Sequence, residues 1–168
     1  MAVVEVITTY LEMREHPRLQ VRWPHRGGML LRLEEPSVPF YRYLYERMGG
    51  KPDRLRGLSD ADLSERLTDP DLDVFVFYLG GAPAGFFEFD RRQEGEVDLT
   101  RLGLFPEFRG RRLGKWLLAF AVDAAWDYQP ERVWTSVTDR DDPRTLLLCQ
   151  WAGFVPYETT RRGGEPGG

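Results

Sequence analysis

The stretch LGLFPEFRGRRLGKWLL, Leu102 to Leu118, constrains this chain more than any other. A strand-like run ends at Phe105-Pro106. An amphipathic helix then opens at Leu113, with Leu117, Phe120, Ala121, Ala124, Ala125 and Tyr128 along one face. Around that opening stand Arg109, Arg111, Arg112 and Lys115. A helix N-terminus carries roughly half a positive charge, so each cation there costs about 0.3–1 kcal/mol. Gly110 and Gly114 permit unusual φ and close backbone approach, and several N–H groups converge on one point. The stretch therefore reads as an anion site closed over by arginines. The competing reading is a solvated charged surface.

The rest of the chain narrows the choice. Its 168 residues, 42% hydrophobic and 13% aromatic, suit one domain with a substantial core. No apolar run approaches a membrane span, and MAVVEVITTYLEMREH has no basic region ahead of an apolar stretch. One cysteine cannot make an internal disulfide, and His16 and His25 show no metal-ligand spacing with it. The expectation is a cytoplasmic protein without a structural metal. A net charge of −4 argues against nucleic-acid and membrane partners. It suits a small polyanion in a local cationic pocket, beside a cationic second substrate.

Strand signals fall at 3–13, Met29–Leu33, Val74–Leu79, the stretch after Gly80-Gly81, Glu96–Phe105, RVWTSV and FVPYETT. Helices are expected from Ser37 to Gly49, from Ser59 over LSDADLSERL, from Leu113 to about Tyr128, and from Asp142-Pro143 to Gly153. Ser37 and Ser59 are the expected N-caps. The expected domain covers residues 1–160, followed by a flexible tail at 161–168.

Two phosphate motifs fail. A Gly-x-x-x-x-Gly-Lys-Ser/Thr loop needs wider glycine spacing and a hydroxyl where Trp116 stands, and a dinucleotide fingerprint needs glycine where Arg112 stands. The stretch instead resembles the pyrophosphate-binding motif of the GNAT superfamily of N-acetyltransferases, Gln/Arg-x-x-Gly-x-Gly/Ala. Arg109 and Gly114 take its first and last positions, and Arg112 stands in place of its middle glycine. Leu104-Phe105-Pro106-Glu107 is similar to the end of the family's splayed strand, and WAGFVPY to the close of its last helix. The order of elements agrees from residue 3 to 160.

The resemblance implies an α/β (α+β) fold with a mixed, mostly antiparallel central sheet and helices on both faces. It implies acetyl-coenzyme A as acetyl donor, with N–H groups of Arg109, Gly110, Arg111, Arg112, Leu113, Gly114 and Lys115 around its pyrophosphate. Pantetheine would pair near Leu102 and Leu104, and the Leu104 N–H would face the thioester carbonyl. Asp142 falls where the family often has a coenzyme A-contacting asparagine, although as a residue it reads as the N-cap before Pro143.

The chemistry is less determined. Asp98 lies six residues before Leu104, so regular alternation puts both on one face and makes Asp98 a candidate base; the alternative is a solvated strand carboxylate. Glu88 is the next candidate and a substrate contact. The family's usual tyrosine acid, four residues before Gly153, is replaced by Cys149, which is either a proton donor or a packed core residue. Tyr41 and Tyr45 fall on a packing stripe, which leaves Tyr43 to face the acceptor. The leading reading is an N-acetyltransferase for a small-molecule or peptide amine, with a homodimer as an expected assembly. The rival is an acyl-coenzyme A-binding module with little turnover.

Overall fold

The structure, a computed structural model, describes residues 4–22, 27–48 and 54–164. Gly49, the expected helix stop, lies outside them. Eleven regular strands and helices follow one another as β1 (Val4–Met13), β2 (Gly28–Arg32), α1 (Val38–Arg47), α2 (Asp60–Leu67), β3 (Leu72–Leu79), β4 (Ala82–Asp90), β5 (Glu96–Leu104), α3 (Leu113–Trp126), β6 (Arg132–Thr138), α4 (Arg144–Trp151) and β7 (Val155–Gly164). Short 3-10 turns at Arg54–Gly57 and Pro106–Phe108 complete the described path. None of the described helices is long and apolar enough to cross a membrane.

Local chemistry accounts for most boundaries. Ser37 accepts the N–H of Phe40 at 3.3 Å and Ser59 that of Asp62 at 3.1 Å, each satisfying an orphan donor of the first helical turn. Gly80 and Gly81 have φ of 61° and 85°, the left-handed conformation that lets β3 turn back into β4.

One seven-stranded sheet runs β2-β3-β4-β5-β6-β1-β7. All neighbours are antiparallel except β5 and β6, which pair in parallel. One face carries α3 and α4 over a core that includes Phe77, Phe87, Phe89, Leu99, Leu113, Trp116 and Cys149. The opposite face carries α1 and α2 over Tyr41, Leu44, Leu63, Val74, Val76 and Phe86. The apolar run of β3 feeds both cores, Phe75 and Phe77 packing one way and Val74 and Val76 the other.

Two expectations need correction. The tail does not begin at residue 161: Arg161, Arg162, Gly163 and Gly164 pair with Ile7, Val6, Glu5 and Val4. An arginine–glycine run carries no strand propensity, so only the partner strand reveals it. In addition, α3 is buried beyond one stripe, with Trp116, Leu118, Ala119 and Val122 joining Leu113, Leu117, Ala121 and Ala125, while Tyr128 remains substantially exposed.

Candidate active site

The site begins where two parallel strands part. β5 and β6 are paired from Glu96↔Arg132 to Leu99↔Thr135, and the Thr135 hydroxyl closes that last pair by donating to the Leu99 carbonyl at 2.8 Å. Beyond it the strands diverge around a cavity of about 500 Å³. Leu102, Leu104, Arg109, Ser136, Asp142 and Cys149 are among its lining residues.

On its other edge β5 remains bonded to β4, and Phe105 donates its N–H to Ala84 at 2.8 Å. Backbone groups of successive strand residues point to opposite edges. The N–H groups of Leu102 and Leu104 are thus turned toward the edge that β6 has vacated. Side-chain identity plays little part in this; the open edge does.

At the mouth of the cleft α3 begins with Arg112 as N-cap, at φ 60° and ψ 14°, and without a side-chain cap. Gly110 is also left-handed, at φ 80°. Arg112 thus holds the conformation that the resemblance assigns to a glycine, at a cost of about 1–2 kcal/mol. The first N–H groups of α3 have no intrahelical acceptor and lie at its positive end, a suitable place for a phosphate. Gly114 has Leu148 of α4 as its near neighbour, and Leu148 also lines the cleft.

The cations are more constrained than the sequence indicates. Arg109 donates through Nε to the Leu104 carbonyl at 3.2 Å and through Nη2 to the Met48 carbonyl at 3.0 Å. It clamps the end of β5 to the C-terminus of α1, where a cation is favourable. Its own N–H is taken by the Pro106 carbonyl at 3.3 Å and is not left for an anion. Arg111 stands over Phe108 at 5.7 Å and Lys115 over Trp151 at 4.7 Å. Asp142 accepts the N–H of Arg144 at 2.9 Å and pairs with its guanidinium at 3.1 Å, which together hold its carboxyl below the usual range.

The expected catalytic group does not assemble. β4 and β5 lose register between Glu88↔Arg101 and Phe89↔Leu99, leaving Thr100 as one extra residue on β5. Alternation reverses there. Asp98 shares the face of Asp90 and Glu88, toward α1 and α2, whereas Leu104 packs into the α3 core. Six strand residues at about 3.3 Å each also separate Asp98 from Leu104 by roughly 20 Å. Burial, then the charges of Asp90 and Glu88, push the Asp98 carboxyl up to about 7. It has the affinity of a base, but it faces away from Leu104 and is not among the residues that line the cleft.

Glu88 is only 1% exposed. Its carboxylate accepts from Tyr41 at 2.6 Å, Thr100 at 2.7 Å, Arg101 at 2.8 Å and Arg66 at 3.4 Å. Four donors occupy it, so it is a buried network centre and not a substrate contact. Tyr43, 43% exposed, stacks on Phe40 at 6.2 Å and lines neither this cleft nor the cavity beside α1. Tyr45, assigned above to packing, does line the cleft. Nothing in the helical period separates Tyr45 from Tyr41; only the position of β5 does.

Cys149 satisfies both of its alternatives in part. It is 6% exposed within the α3–α4 core and also lines the cleft. Burial, with the nearby Asp141, pushes its thiol up to about 11. It stays protonated at neutral pH but is a reluctant donor to another thiolate.

The model of the acetyltransferase (GNAT) family matches residues 37–154. No curated protein matches the chain. Among solved structures, a tandem GNAT protein from the clavulanic acid biosynthesis pathway superposes with a TM-score of 0.68 at 16% identity, over 100% of this chain and 56% of that one. An aminoglycoside acetyltransferase from an uncultured soil metagenomic sample gives 0.60 at 16% identity, covering 75% of this chain and 87% of its own. A spermidine N-acetyltransferase chimera of Vibrio cholerae and human sequence gives 0.61 at 18% identity, covering 77% and 81%. The chain thus spans little more than half the length of the tandem protein.

Proposed function

Because the chain belongs to the GNAT acetyltransferase family, we propose that it transfers the acetyl group of acetyl-coenzyme A to an amine by direct attack on the thioester. The supporting observation is the vacated edge of β5, with the Leu102 and Leu104 N–H groups turned into a cleft that ends at the N-terminus of α3. That arrangement fits the donor's chemistry. N–H groups from Gly110 to Gly114 meet a pyrophosphate, the edge of β5 pairs with the amides of pantetheine, and the Leu104 N–H meets the thioester oxygen. Charge on that oxygen grows as the amine attacks, so a fixed donor there lowers the barrier, by about 3–4 kcal/mol where one such donor has been removed.

The chain's own residues supply position more than proton transfer. Arg109 fixes the Leu104 peptide and the end of α1 together. Similar folds that acetylate aminoglycosides and spermidine support an amine acceptor. The reluctant Cys149 thiol favours a second reading, an acyl-coenzyme A-binding module with little turnover. The proposed cytoplasmic setting and homodimer do not bear on this choice.

Two measurements test the proposal. Acetyl-coenzyme A should raise the melting temperature, as a ligand of the native state must. A panel of small amines, polyamines and aminoglycosides should then release coenzyme A thiol at a rate above hydrolysis. A thermal shift without any amine-dependent release supports the binding module instead. No shift at all refutes both readings.

A further inference from the structure

We propose that Met48, the C-cap of α1, is a specificity-determining residue that restricts acetyl transfer to unhindered primary amines. This deepens the acetyltransfer reading and rests on it. The Leu102 and Leu104 N–H groups share one open strand edge, so a donor lying along it has one side toward α3 and α4 and the other toward α1. Leu118, Leu148 and Cys149 line the first side, and Leu118 and Cys149 belong to the buried core there. That side is solid. An acceptor therefore arrives from the side of α1.

Tyr45, Met48, Thr100 and Arg101 line the cleft on that side. Thr100 and Arg101 are bonded to the Glu88 carboxylate at 2.7 and 2.8 Å, and the Arg101 guanidinium lies 5.2 Å from the Tyr45 ring centroid. Met48 lies against the strand itself. Its thioether rests on Gly103, between Leu102 and Leu104, so closely that a Cβ added to Gly103 would strike its Sδ and Cγ. The φ of Gly103 is not left-handed, so its missing side chain serves this close approach and not an unusual backbone.

The backbone beneath the thioether is pinned. The Met48 carbonyl accepts from Arg109 at 3.0 Å, and the Met48 N–H donates to the Leu44 carbonyl at 3.2 Å. One residue earlier, Arg47 pairs with Glu107 and stands 5.5 Å from the centroid of the Phe105 ring. Tyr43 meets the same ring edge-on at 6.1 Å. The last turn of α1 is thus fastened to the connection between β5 and α3, and Met48 does not retreat without breaking these contacts.

A thioether brings no charge, so it selects by bulk. It is unbranched and adapts to a slender neighbour. A primary amine on an unbranched carbon carries the least bulk beside its nitrogen. An α-branched or N-alkylated amine adds one carbon at the point where it meets Met48. One extra carbon against an apolar wall is worth about 10- to 200-fold in kcat/KM.

The test compares the unmodified protein with Met48→Ala and Met48→Leu. Paired probes differ in bulk beside the nitrogen: n-butylamine with sec-butylamine, and the best amine of the panel with its N-methyl derivative. The unmodified protein should favour the unhindered member of each pair by about tenfold or more in kcat/KM. Met48→Leu, of similar volume, should keep that preference. Met48→Ala should reduce it to within about threefold, with KM for acetyl-coenzyme A changed less than about twofold. A binding readout is independent of turnover. In methionine-methyl NMR spectra, the resonance that Met48→Leu lacks should shift when acetyl-coenzyme A is added, and that of the exposed Met29 on β2 should not. Should Met48→Ala fail to fold, these spectra and the amine pairs on the unmodified protein still decide. A Met48 resonance unmoved at saturating acetyl-coenzyme A, an unmodified protein without the preference, or a folded Met48→Ala that keeps all of it overturns the assignment alone. An unmodified protein that binds acetyl-coenzyme A but acetylates no amine overturns the underlying reading and the assignment with it.

Discussion

Thr100 donates its hydroxyl to Glu88 Oε2 at 2.7 Å and to the Glu88 carbonyl at 3.2 Å, at the point where β5 carries one residue more than β4. The bulge therefore has a chemical anchor. It turns Thr100 and Arg101 toward the Glu88 carboxylate, and from there on β5 presents Leu102 and Leu104 to the opposite core.

The anchor should be measurable. Thr100→Val removes a hydrogen bond to a buried carboxylate and should cost about 1.5–3 kcal/mol in urea unfolding. Glu88→Ala leaves Arg66 and Arg101 without their shared partner and should cost more, about 3–5 kcal/mol. Equal midpoints for Thr100→Val and the unmodified protein would show that the bulge holds without this bond.

Asp98 carries a stability signature. Its folded carboxyl titrates near 7, above its ordinary 3.8, so the fold favours the protonated form. The resulting destabilisation is absent below pH 4, grows as pH rises toward 7 and is complete above it. Asp98→Asn should thus raise the melting temperature at pH 8 and not at pH 3.5. Three units at 1.36 kcal/mol each set an upper bound near ~4 kcal/mol. Turnover should stay within threefold, and a larger loss in the folded variant would restore Asp98 as the base.

At the mouth of the cleft, Arg112 is held at φ 60° and Gly110 at φ 80°. Arg112→Gly should be neutral or stabilising by up to about 1 kcal/mol, because relief of strain competes with the greater freedom of an unfolded glycine. Gly110→Val puts a β-branched residue at positive φ and should cost more than about 1 kcal/mol. A bulky residue at Gly114, or glutamate at both Arg109 and Arg111, should weaken coenzyme A binding at least tenfold by calorimetry, although the clamp from Arg109 to Met48 makes part of the latter loss structural.

Cys149→Ala should cost about 1 kcal/mol or somewhat more in stability, with turnover nearly unchanged. The sign of its pH dependence follows from a thiol raised from 9.0 to about 11. The folded state favours the protonated thiol, so the cysteine becomes destabilising as pH climbs from 9 toward 11. The advantage of the unmodified protein over Cys149→Ala should shrink across that range in denaturant titrations. A tenfold fall in rate with folding and coenzyme A binding intact would instead make the thiol the acid.

Much of the site's outline was legible before any coordinates. Ser37 and Ser59 cap the helices they were expected to cap, and Gly80-Gly81 turns β3 into β4. Leu102, Leu104, Arg109, Asp142 and Cys149 gather around one cleft. Regular alternation misplaces Asp98 relative to Leu104. A single inserted residue leaves no mark in composition or period, yet it moved Asp98 to the far face. Tyr43 and Tyr45 were separated on helical phase alone, and the structure reverses which one meets the cavities.

The sequence by itself determined the strand–turn–helix at Phe105 to Leu113, the Ser37 and Ser59 caps and the family, because each rests on residues within a turn or two of one another. The last helix, expected to be capped by Asp142, has Pro143 as its N-cap. Only the tertiary structure decided the rest. β1 lies between β6 and β7, the Arg109 guanidinium bonds the Met48 carbonyl, and Thr100 shifts the register of β5. Each of these depends on a partner far along the chain, and a strand carries little record of which edge it will meet. The gathering of Arg109, Arg111, Arg112 and Lys115 at the start of α3 is therefore legible locally. Which side chains meet the reacting atoms is set by how the sheet closes around them.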